Sequence, residues 1–372
     1  MSDLTVFHVL EAVGGGTSRH LLDIVTHAKS LSHEVAIPRR RRGWLSDETL
    51  PERLVHAGAR VHLVEMRRGP YSGRNGAAMF RIWQLIRTQR PNIVHGHSAI
   101  GGALARIAAT ACGAPRIYSP HGIGPSPLVR VAERSLARLT DYFVADSPSE
   151  GDLALTSGFA RVTQLRVIPN GIDTVAEPPV STLRIVLGVA ADAPLVGTLA
   201  RLDYQKDPLT FVSLCSLVAE KCPAAHFVLI GHGRMQREVL AQAEALIPPA
   251  RFHYLPDLTE APNPLGALSV FVSTSRYEGG PYTPIDAMYA QVPVVLSDCV
   301  GNRDVARNEA EALTFPIGDA AAGATAVLRV LSDTQLRYQM IAAAGLRVRS
   351  AFDVRSMAQG LEDLYREAAS KG

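Results

Sequence analysis

The feature that most constrains the fold of this chain is the regular alternation of short apolar, β-rich runs with amphipathic helical patterns. Parallel strands need a helix-sized connection between them, so this alternation is typical of parallel sheets covered by helices. The strands predicted in the first half are Val6–Leu10, Glu34–Ile37, Val61–Val64, Ile93–His95, Arg116–Ser119, Tyr142–Ala145 and Arg166–Ile168. Those predicted in the second half are Leu195–Leu199, His226–Ile230, Phe252–Leu255, Val270–Thr274 and Pro293–Leu296. The sequence therefore predicts an α/β protein with doubly wound parallel sheets.

The length of 372 residues exceeds what one compact core usually holds, which favours two domains. We place the first domain at residues 1–175, the second at 176–352, and a C-terminal helix at 353–372 that packs back on the first domain. The segment Pro169–Val189 has Asn-Gly and Pro-Pro dipeptides and little periodicity, and is interpreted as the linker. Ligands of such sheets bind at the carboxyl ends of the strands, so we expect the two edges to form one cleft.

Several protein classes are disfavoured by composition. The chain has no apolar run of about 18 residues, the length that a membrane span needs. The N-terminus lacks the basic segment of a secretory signal, and the four cysteines are far apart with no Cys-x-x-Cys pair. We therefore expect a cytoplasmic protein without a disulfide framework or a cysteine zinc site.

Positive charge is concentrated in the first half. Residues 1–175 contain 21 Lys and Arg against 14 Asp and Glu, whereas the remainder contains 17 against 21. No nucleic-acid-binding motif accompanies this charge, so a phosphate-bearing acceptor or an anionic membrane is the favoured partner. The runs Arg39–Arg42 and Arg67–Arg68, with an apolar helical face predicted over Leu128–Phe143, would form a peripheral contact with the inner face of the cytoplasmic membrane. The alternative is that the arginines are solvated and the apolar face belongs to the core.

Two glycines and a histidine in the first half follow predicted strands. Gly15 and Gly16 come after the first strand, where the backbone can approach an anion at the start of a helix. A tight turn is the alternative, and the spacing is not that of a dinucleotide-binding Gly-x-Gly-x-x-Gly motif. His121 follows the strand Arg116–Ser119 and is the candidate functional histidine, whereas His95 and His97 are interpreted as packing or loop-fixing residues.

The candidate anion-binding and acidic residues of the second half follow two other strands. Arg201 and Lys206 lie on one strand-to-helix loop and can converge on a diphosphate, the alternative being ion pairs with Asp203 or Asp207. Glu278 lies in a glycine-rich loop, and Asp286 lies eight positions later, inside a helix predicted to begin near Thr283. Both carboxylates can then face a ligand at the helix start, although Asp286 could also serve the helix dipole.

At these positions the chain resembles the retaining GT-B glycosyltransferases of family 4, the bacterial polysaccharide-assembly type. The resemblance covers nearly the whole chain. The matching motifs are the glycine loop near residue 15, Asn170-Gly-Ile-Asp173, Gly231-His-Gly233, Ser275-Arg-Tyr-Glu278-Gly, Asp286-Ala-Met, Pro293-Val-Val and Gly301-Asn-Arg-Asp304. Two departures are that Asp286 stands where the family has a ribose-binding glutamate, and that Pro281 stands where many members have glycine and removes one backbone donor.

The resemblance implies a GT-B fold of two Rossmann-like domains facing across a cleft, and it assigns roles to residues. His121, Arg201, Lys206 and Glu278 would be catalytic: the two cations bind the diphosphate, Glu278 the sugar hydroxyls, and His121 the far side of the sugar. The donor-binding residues would be Gly15, Gly16, Gly279, Gly280, Pro281, Tyr282 and Asp286.

The resemblance also implies a reaction and its partners. The enzyme would be a retaining hexosyltransferase that needs no metal or cofactor, because charged side chains stabilise the leaving diphosphate. The donor would be a UDP- or GDP-sugar, and the acceptor a glycan or lipid-linked molecule in exopolysaccharide, O-antigen or lipopolysaccharide synthesis. A sugar-nucleotide epimerase or a non-catalytic nucleotide-sugar-binding protein of the same fold are the alternatives. An NAD-dependent oxidoreductase is disfavoured by the glycine spacing.

Overall fold

The computed structural model describes residues 4–40, 46–67, 73–110, 112–175, 181–257 and 264–371. The chain divides into two compact units. Unit 1 consists of Met1–Gly171 and Val354–Gly372, and unit 2 consists of Ile172–Asp353. Among the described residues, no helix combines the length and the apolar composition of a membrane span.

Unit 1 is a seven-stranded, entirely parallel sheet in the order β3-β2-β1-β4-β5-β6-β7. Its strands are β1 (Thr5–Leu10), β2 (Ser32–Ile37), β3 (Arg60–Leu63), β4 (Ile93–His97), β5 (Arg116–Ser119), β6 (Tyr142–Ala145) and β7 (Leu165–Val167). Its helices are α1 (Gly16–His27), α2 (Leu50–His56), α3 (Gly73–Gln89), α4 (Ala99–Thr110), α5 (Pro127–Leu136), α6 (Pro148–Thr156) and, from the chain end, α14 (Val354–Lys371). The strand order reverses between β1 and β4.

Unit 2 repeats this plan with a six-stranded parallel sheet in the order β10-β9-β8-β11-β12-β13. Its strands are β8 (Leu195–Leu199), β9 (His226–Ile230), β10 (Phe252–Leu255), β11 (Val270–Ser273), β12 (Val294–Ser297) and β13 (Ala312–Phe315). Its helices are α7 (Leu183–Leu187), α8 (Pro208–Lys221), α9 (Gln236–Leu246), α10 (Tyr282–Tyr289), α11 (Asn302–Val305), α12 (Ala320–Ser332) and α13 (Thr334–Ala351). Here the strand order reverses between β8 and β11. The prediction of two doubly wound α/β domains is confirmed.

The boundary between the units falls inside the segment Pro169–Val189 interpreted as the linker, although the later part of that segment forms α7. The edge strand β13 was not predicted. The helical face predicted over Leu128–Phe143 does not exist as one face, because α5 ends at Leu136 and Phe143 lies on β6. On α5, Leu128 is 64% exposed and Val131 is 62% exposed, whereas Glu133 is buried. The apolar side chains at the start of this helix therefore face solvent and not the core.

The terminal helix α14 is part of unit 1, and its apolar stripe packs on the sheet beside α1. Near its end the hydroxyl of Tyr365 lies 2.7 Å from Nδ1 of His95 on β4, and both side chains are fully buried. Burial raises the pKa of the Tyr365 phenol, which keeps the hydroxyl neutral. The chain end is thereby fixed to the centre of the sheet.

We expect Tyr365→Phe to lower the free energy of unfolding by about 1–3 kcal/mol, because a buried histidine nitrogen loses its partner while the ring volume is kept. A matched control is Tyr338→Phe, whose ring is 66% exposed and should change stability by less than about 0.5 kcal/mol. The urea midpoints of both variants are compared with that of the unchanged protein. Equal midpoints for the two variants would contradict the proposed anchor.

Candidate active site

The catalytic candidates of unit 2 lie on two loops at the point where the strand order reverses. One loop follows β8 and carries Arg201 and Lys206; the other follows β11 and carries Glu278. In doubly wound sheets this reversal opens a crevice between the two loops, where ligands bind. The topology therefore brings together residues that are 72 positions apart in the sequence.

Lys206 and Glu278 form a direct ion pair. Nζ of Lys206 lies 2.5 Å from Oε1 of Glu278, and the two side chains are 20% and 6% exposed. The other carboxylate oxygen accepts a hydrogen bond of 3.3 Å from Nε2 of Gln205, which also donates to the Tyr277 carbonyl at 3.1 Å. Glu278 is thus held as a buried carboxylate between a cation and an amide.

Arg201 joins the same group through Gln205. Its Nη2 donates to Oε1 of Gln205 at 3.0 Å, and its Nη1 lies 3.2 Å from Oδ2 of Asp203. Asp207 is paired instead with Arg276, at 2.7 Å. The alternative of an ion pair with Asp203 therefore holds for Arg201, whereas Lys206 pairs with Glu278, and Arg201 is linked to Glu278 through Gln205.

Gln205 and Arg276 are site residues that sequence reasoning missed. The backbone N–H of Arg276 donates to the carbonyl of Gln205 at 2.8 Å, and its guanidinium stacks 4.8 Å from the ring centre of Tyr204. These contacts tie the β8 loop to the β11 loop. Polar and charged residues are common in loops, so nothing in the sequence marks Gln205 or Arg276. Only their contacts in the folded chain show that they connect the two loops.

The backbone around Glu278 requires glycine at a neighbouring position. The N–H of Glu278 donates to the Val300 carbonyl at 2.9 Å. Gly301 has φ +86°, and a Cβ added there would lie 2.7 Å from Cβ of Glu278 and 2.7 Å from the carbonyl oxygen of Gly279. A side chain at position 301 would displace the carboxylate loop, so the glycine fixes its position.

The donor-binding candidates after Glu278 lead into helix α10. Gly279 and Gly280 precede Pro281, the residue at the N-cap, and the helix begins at Tyr282, one residue before the predicted start. Asp286 lies in the next turn and is half-buried. It therefore sits beyond the helix start, whereas the ion pair of Glu278 lies before it.

The buried thiol beside this carboxylate is chemically inert. Burial, and then the negative charge of Glu278, raise the pKa of Cys299 to about 12. The neighbouring thiol therefore stays protonated near neutral pH, and the described acid–base groups of the crevice are those of the two loops.

The candidates of unit 1 also lie at a carboxyl edge. Gly15, with φ 71°, caps α1 at its N-terminus, and Gly16 is the first helical residue. His121 follows β5 with φ 55°, and its side chain is 6% exposed. Nδ1 of His121 donates to Asp146, which follows β6, at 2.8 Å.

His121 is the end of a chain of four hydrogen-bonded histidines that sequence reasoning missed. Nε2 of His121 lies 3.1 Å from Nδ1 of His97, and Nε2 of His97 lies 3.1 Å from Nδ1 of His8. The chain continues from Nε2 of His8 to Nδ1 of His33 at 3.1 Å and ends at the carbonyl of Ala28. Strands β1, β2 and β4 carry three of these rings, and His97, interpreted as a packing or loop-fixing residue, hydrogen-bonds to two of the other histidines.

The pKa shifts indicate where positive charge resides in this cluster. Burial lowers the pKa of His8, His95 and His97 well below the ordinary value, and with the repulsion of His121 it lowers that of His20 to about 4. Burial alone would raise the pKa of Asp146, but the charge and hydrogen bond of His121 outweigh it and lower that pKa. The pKa values of these four fully buried histidines are thus shifted towards the neutral form, and that of Asp146 is shifted towards the ionised form.

Comparison with known proteins agrees with this arrangement. Residues 14–176 match the family described as Glycosyltransferase Family 4, and residues 181–347 match Glycosyl transferases group 1, so that the two matches together cover most of the chain. An Escherichia coli UDP-Gal:alpha-D-GlcNAc-diphosphoundecaprenol alpha-1,3-galactosyltransferase is 24% identical over 77% of this chain and 78% of its own length. A glycosyltransferase of Bacillus subtilis, EpsD, named as putative, is 25% identical over 81% and 83%.

Solved structures share the fold. The Anabaena protein HepE, crystallised with UDP and glucose, superposes with a TM-score of 0.84 over 98% of this chain and all of its own, at 20% identity. The sucrose-phosphate synthase of Thermosynechococcus elongatus gives a TM-score of 0.84 over 99% of this chain and all of its own, at 18% identity. The predicted GT-B fold is confirmed by these neighbours together with the two parallel sheets. The chain therefore belongs to the family 4 type of GT-B glycosyltransferases, which makes it a nucleotide-sugar-dependent transferase.

Proposed function

We propose that this enzyme transfers a hexose from a UDP- or GDP-sugar, with retention of anomeric configuration, to a hydroxyl of a glycan or lipid-linked acceptor in polysaccharide assembly. The observation that carries the proposal is the grouping of Arg201, Lys206 and Glu278 at the strand-order reversal of unit 2. Exopolysaccharide, O-antigen and lipopolysaccharide synthesis are the pathways that use such a reaction. The names of the relatives, a diphosphoundecaprenol-linked galactosyltransferase among them, support this class of acceptor.

The two cations suit a diphosphate leaving group. An ammonium carries three donors, of which Lys206 uses one on Glu278, and the guanidinium of Arg201 is 29% exposed beside it. A diphosphate bound at this place would accept charge-assisted hydrogen bonds from both side chains. As the bond to the sugar breaks, negative charge grows on the phosphate, so these contacts strengthen in the transition state.

Glu278 suits the sugar. Its carboxylate is fixed by Lys206 and Gln205, and its backbone N–H by the Val300 carbonyl, so it needs no reorganisation before it accepts hydrogen bonds from sugar hydroxyls. Gly279 and Gly280 let the backbone come close to the donor at the start of α10. Asp286, one methylene shorter than glutamate, would bind the ribose directly or through water.

The acid–base part of the reaction needs no metal in this proposal. The departing phosphate takes the proton of the acceptor hydroxyl on the same face of the sugar, which preserves configuration. His121, oriented by Asp146, contributes from unit 1 by bonding a donor hydroxyl, and Gly15 and Gly16 border the diphosphate. An epimerase would return an altered donor without any acceptor, and a binding protein would give no turnover, so product analysis separates the three functions.

A lipid-linked acceptor would be reached at an anionic membrane surface on the cytoplasmic side. The supporting observation is α5, which exposes Leu128 and Val131 next to Arg134, itself exposed. An apolar face flanked by basic residues binds anionic bilayers through buried area and charge. Arg39 and Arg40 are exposed as well, whereas Arg41, Arg42 and Arg68 lie outside the described residues.

Arg201→Ala and Lys206→Ala should each lower kcat/KM about 100-fold or more, because a charge-assisted contact to the leaving group is lost. Transfer is measured in excess EDTA with both donor types, and the unchanged protein is expected to keep its activity there. Lys221→Ala, an exposed lysine at the end of α8, is the matched control and should leave turnover unaltered. Full turnover by both site variants would remove the diphosphate assignment, and activity that returns only with added Mg²⁺ would refute metal independence.

The membrane proposal predicts that the protein floats with anionic vesicles at low salt and not with neutral ones. Replacing Leu128 and Val131 by aspartate, or Arg39–Arg42 by serine, should weaken binding, since each basic residue contributes about 1 kcal/mol near such a surface. Val162→Asp, at a site 78% exposed elsewhere on unit 1, is the matched control. If the unchanged protein does not bind anionic vesicles at low salt, a soluble acceptor becomes the better proposal.

A further inference from the structure

Three histidine rings of unit 1 converge at the carboxyl edge of its sheet. His20 comes from α1, His97 is the last residue of β4, and His121 lies on the loop after β5. One ring nitrogen from each lies within 4.8 Å of the other two. The rings of His97 and His121 are parallel at 5.4 Å, and that of His20 meets His121 edge-on at 4.5 Å.

The far nitrogen of each ring is held by a hydrogen bond directed away from the point of convergence. Nδ1 of His121 donates to Asp146 at 2.8 Å, and Nδ1 of His20 donates to the side-chain oxygen of Asn170 at 2.7 Å. In His97 the far nitrogen is Nε2, which contacts His8 at 3.1 Å. Outer hydrogen bonds of this kind fix the tautomer and the orientation of metal-binding histidines.

The protons of the histidine chain can be assigned from its carbonyl end. A carbonyl only accepts, so His33 donates to Ala28 from Nε2, and its Nδ1 therefore accepts from His8. His8 in turn accepts from Nε2 of His97, which leaves Nδ1 of His97 without a proton. Nε2 of His20 is also a buried nitrogen with no hydrogen-bond partner. Unprotonated nitrogens thus point towards one space, together with Nε2 of His121.

Converging lone pairs repel one another unless a cation lies between them. In the structure Nδ1 of His97 and Nε2 of His121 lie 3.1 Å apart. A divalent ion bound by the three nitrogens would replace this contact and would also engage the unpartnered nitrogen of His20. The site therefore has three imidazole ligands and their outer hydrogen-bond partners, which is the number of protein ligands that open zinc sites have.

A second trio, His8, His95 and His97, is equally compact, but two of its three rings have both nitrogens engaged in other hydrogen bonds. Both nitrogens of His95 are bonded, to Tyr365 at 2.7 Å and to Ser119 at 2.9 Å. Both nitrogens of His8 are bonded within the histidine chain. Only the trio that includes His20 combines convergence with an unpartnered buried nitrogen among the described residues.

We propose that His20, His97 and His121 bind a transition-metal ion of the class that prefers imidazole, such as Zn²⁺, Co²⁺ or Ni²⁺. The ion is an inhibitor and not a cofactor, because it occupies the nitrogen of His121 that the metal-free reaction directs at the donor sugar. This consequence rests on the proposed function, whereas the binding itself does not. Three imidazole nitrogens favour these ions over Mg²⁺ or Ca²⁺, which prefer a larger number of oxygen ligands.

Binding is tested with Zn²⁺ in equilibrium dialysis and with Co²⁺ by its visible absorption, using the full chain. We expect one high-affinity ion per chain and the absorption of four-coordinate cobalt. His20→Gln should weaken binding at least 10-fold, and Asn170→Ala, which removes only an outer partner, should weaken it about 10- to 100-fold. His253→Gln removes one ring of the His226–His253 pair of unit 2 and is the matched control, with no expected change.

Three results would overturn the site: no Zn²⁺ bound by the folded protein, binding that His20→Gln leaves unaltered, or binding that His253→Gln abolishes. Circular dichroism is used to check that each variant folds. If His20→Gln does not fold, the binding test relies on Asn170→Ala. Transfer activity is then measured with and without Zn²⁺. Inhibition relieved by EDTA supports the consequence for His121, and full activity with the ion bound refutes it. Absence of turnover in every sample would instead count against the proposed function, because dialysis does not depend on catalysis.

Discussion

The ion pair of Lys206 with Glu278 is the interaction on which the candidate site of unit 2 depends. It joins the loop after β8 to the loop after β11, the two strands between which the sheet order reverses. Each charge lies largely out of water, so each needs the other, and loss of one partner leaves a buried charge without compensation. Gln205 and Gly301 complete the arrangement, one by bonding the carboxylate and the other by leaving room for it. A site with this geometry is held in place before any ligand arrives.

Unit 1 uses the same edge of the same type of sheet with different chemistry. Its strand ends present a cluster of hydrogen-bonded histidines, most of them fully buried, and Asp146 orients the ring nearest the edge. The parallel sheet explains why both groups are local clusters, since the carboxyl ends of neighbouring strands always meet. Side chains distant in sequence are thereby brought within hydrogen-bond distance, as His8, His33 and His97 illustrate.

The sequence was sufficient where a pattern is local. Strand β5, for example, has the predicted bounds, because a short β-rich run between turn residues indicates a strand clearly. The edge strand β13 is short, and its sequence has too little hydrophobic periodicity to predict a strand. The ion-pair partners were not predictable from the sequence. Lys206 could have paired with the nearby Asp203, and it pairs with Glu278 because the crossover between β8 and β11 brings their two loops together. The helical face over Leu128–Phe143 failed because a helical period was continued across a turn into β6.

We propose that Arg201 and Lys206 hold the diphosphate of a nucleotide donor at the strand-order reversal of unit 2. Thermal unfolding with UDP, GDP and ADP tests it without any acceptor. One of these ligands at 100 times its dissociation constant should stabilise the protein by about 2.7 kcal/mol, and the shift should be lost in Arg201→Ala and kept in Lys221→Ala. An undiminished shift in Arg201→Ala, or no shift with any nucleoside diphosphate, would contradict the diphosphate-binding role of these side chains.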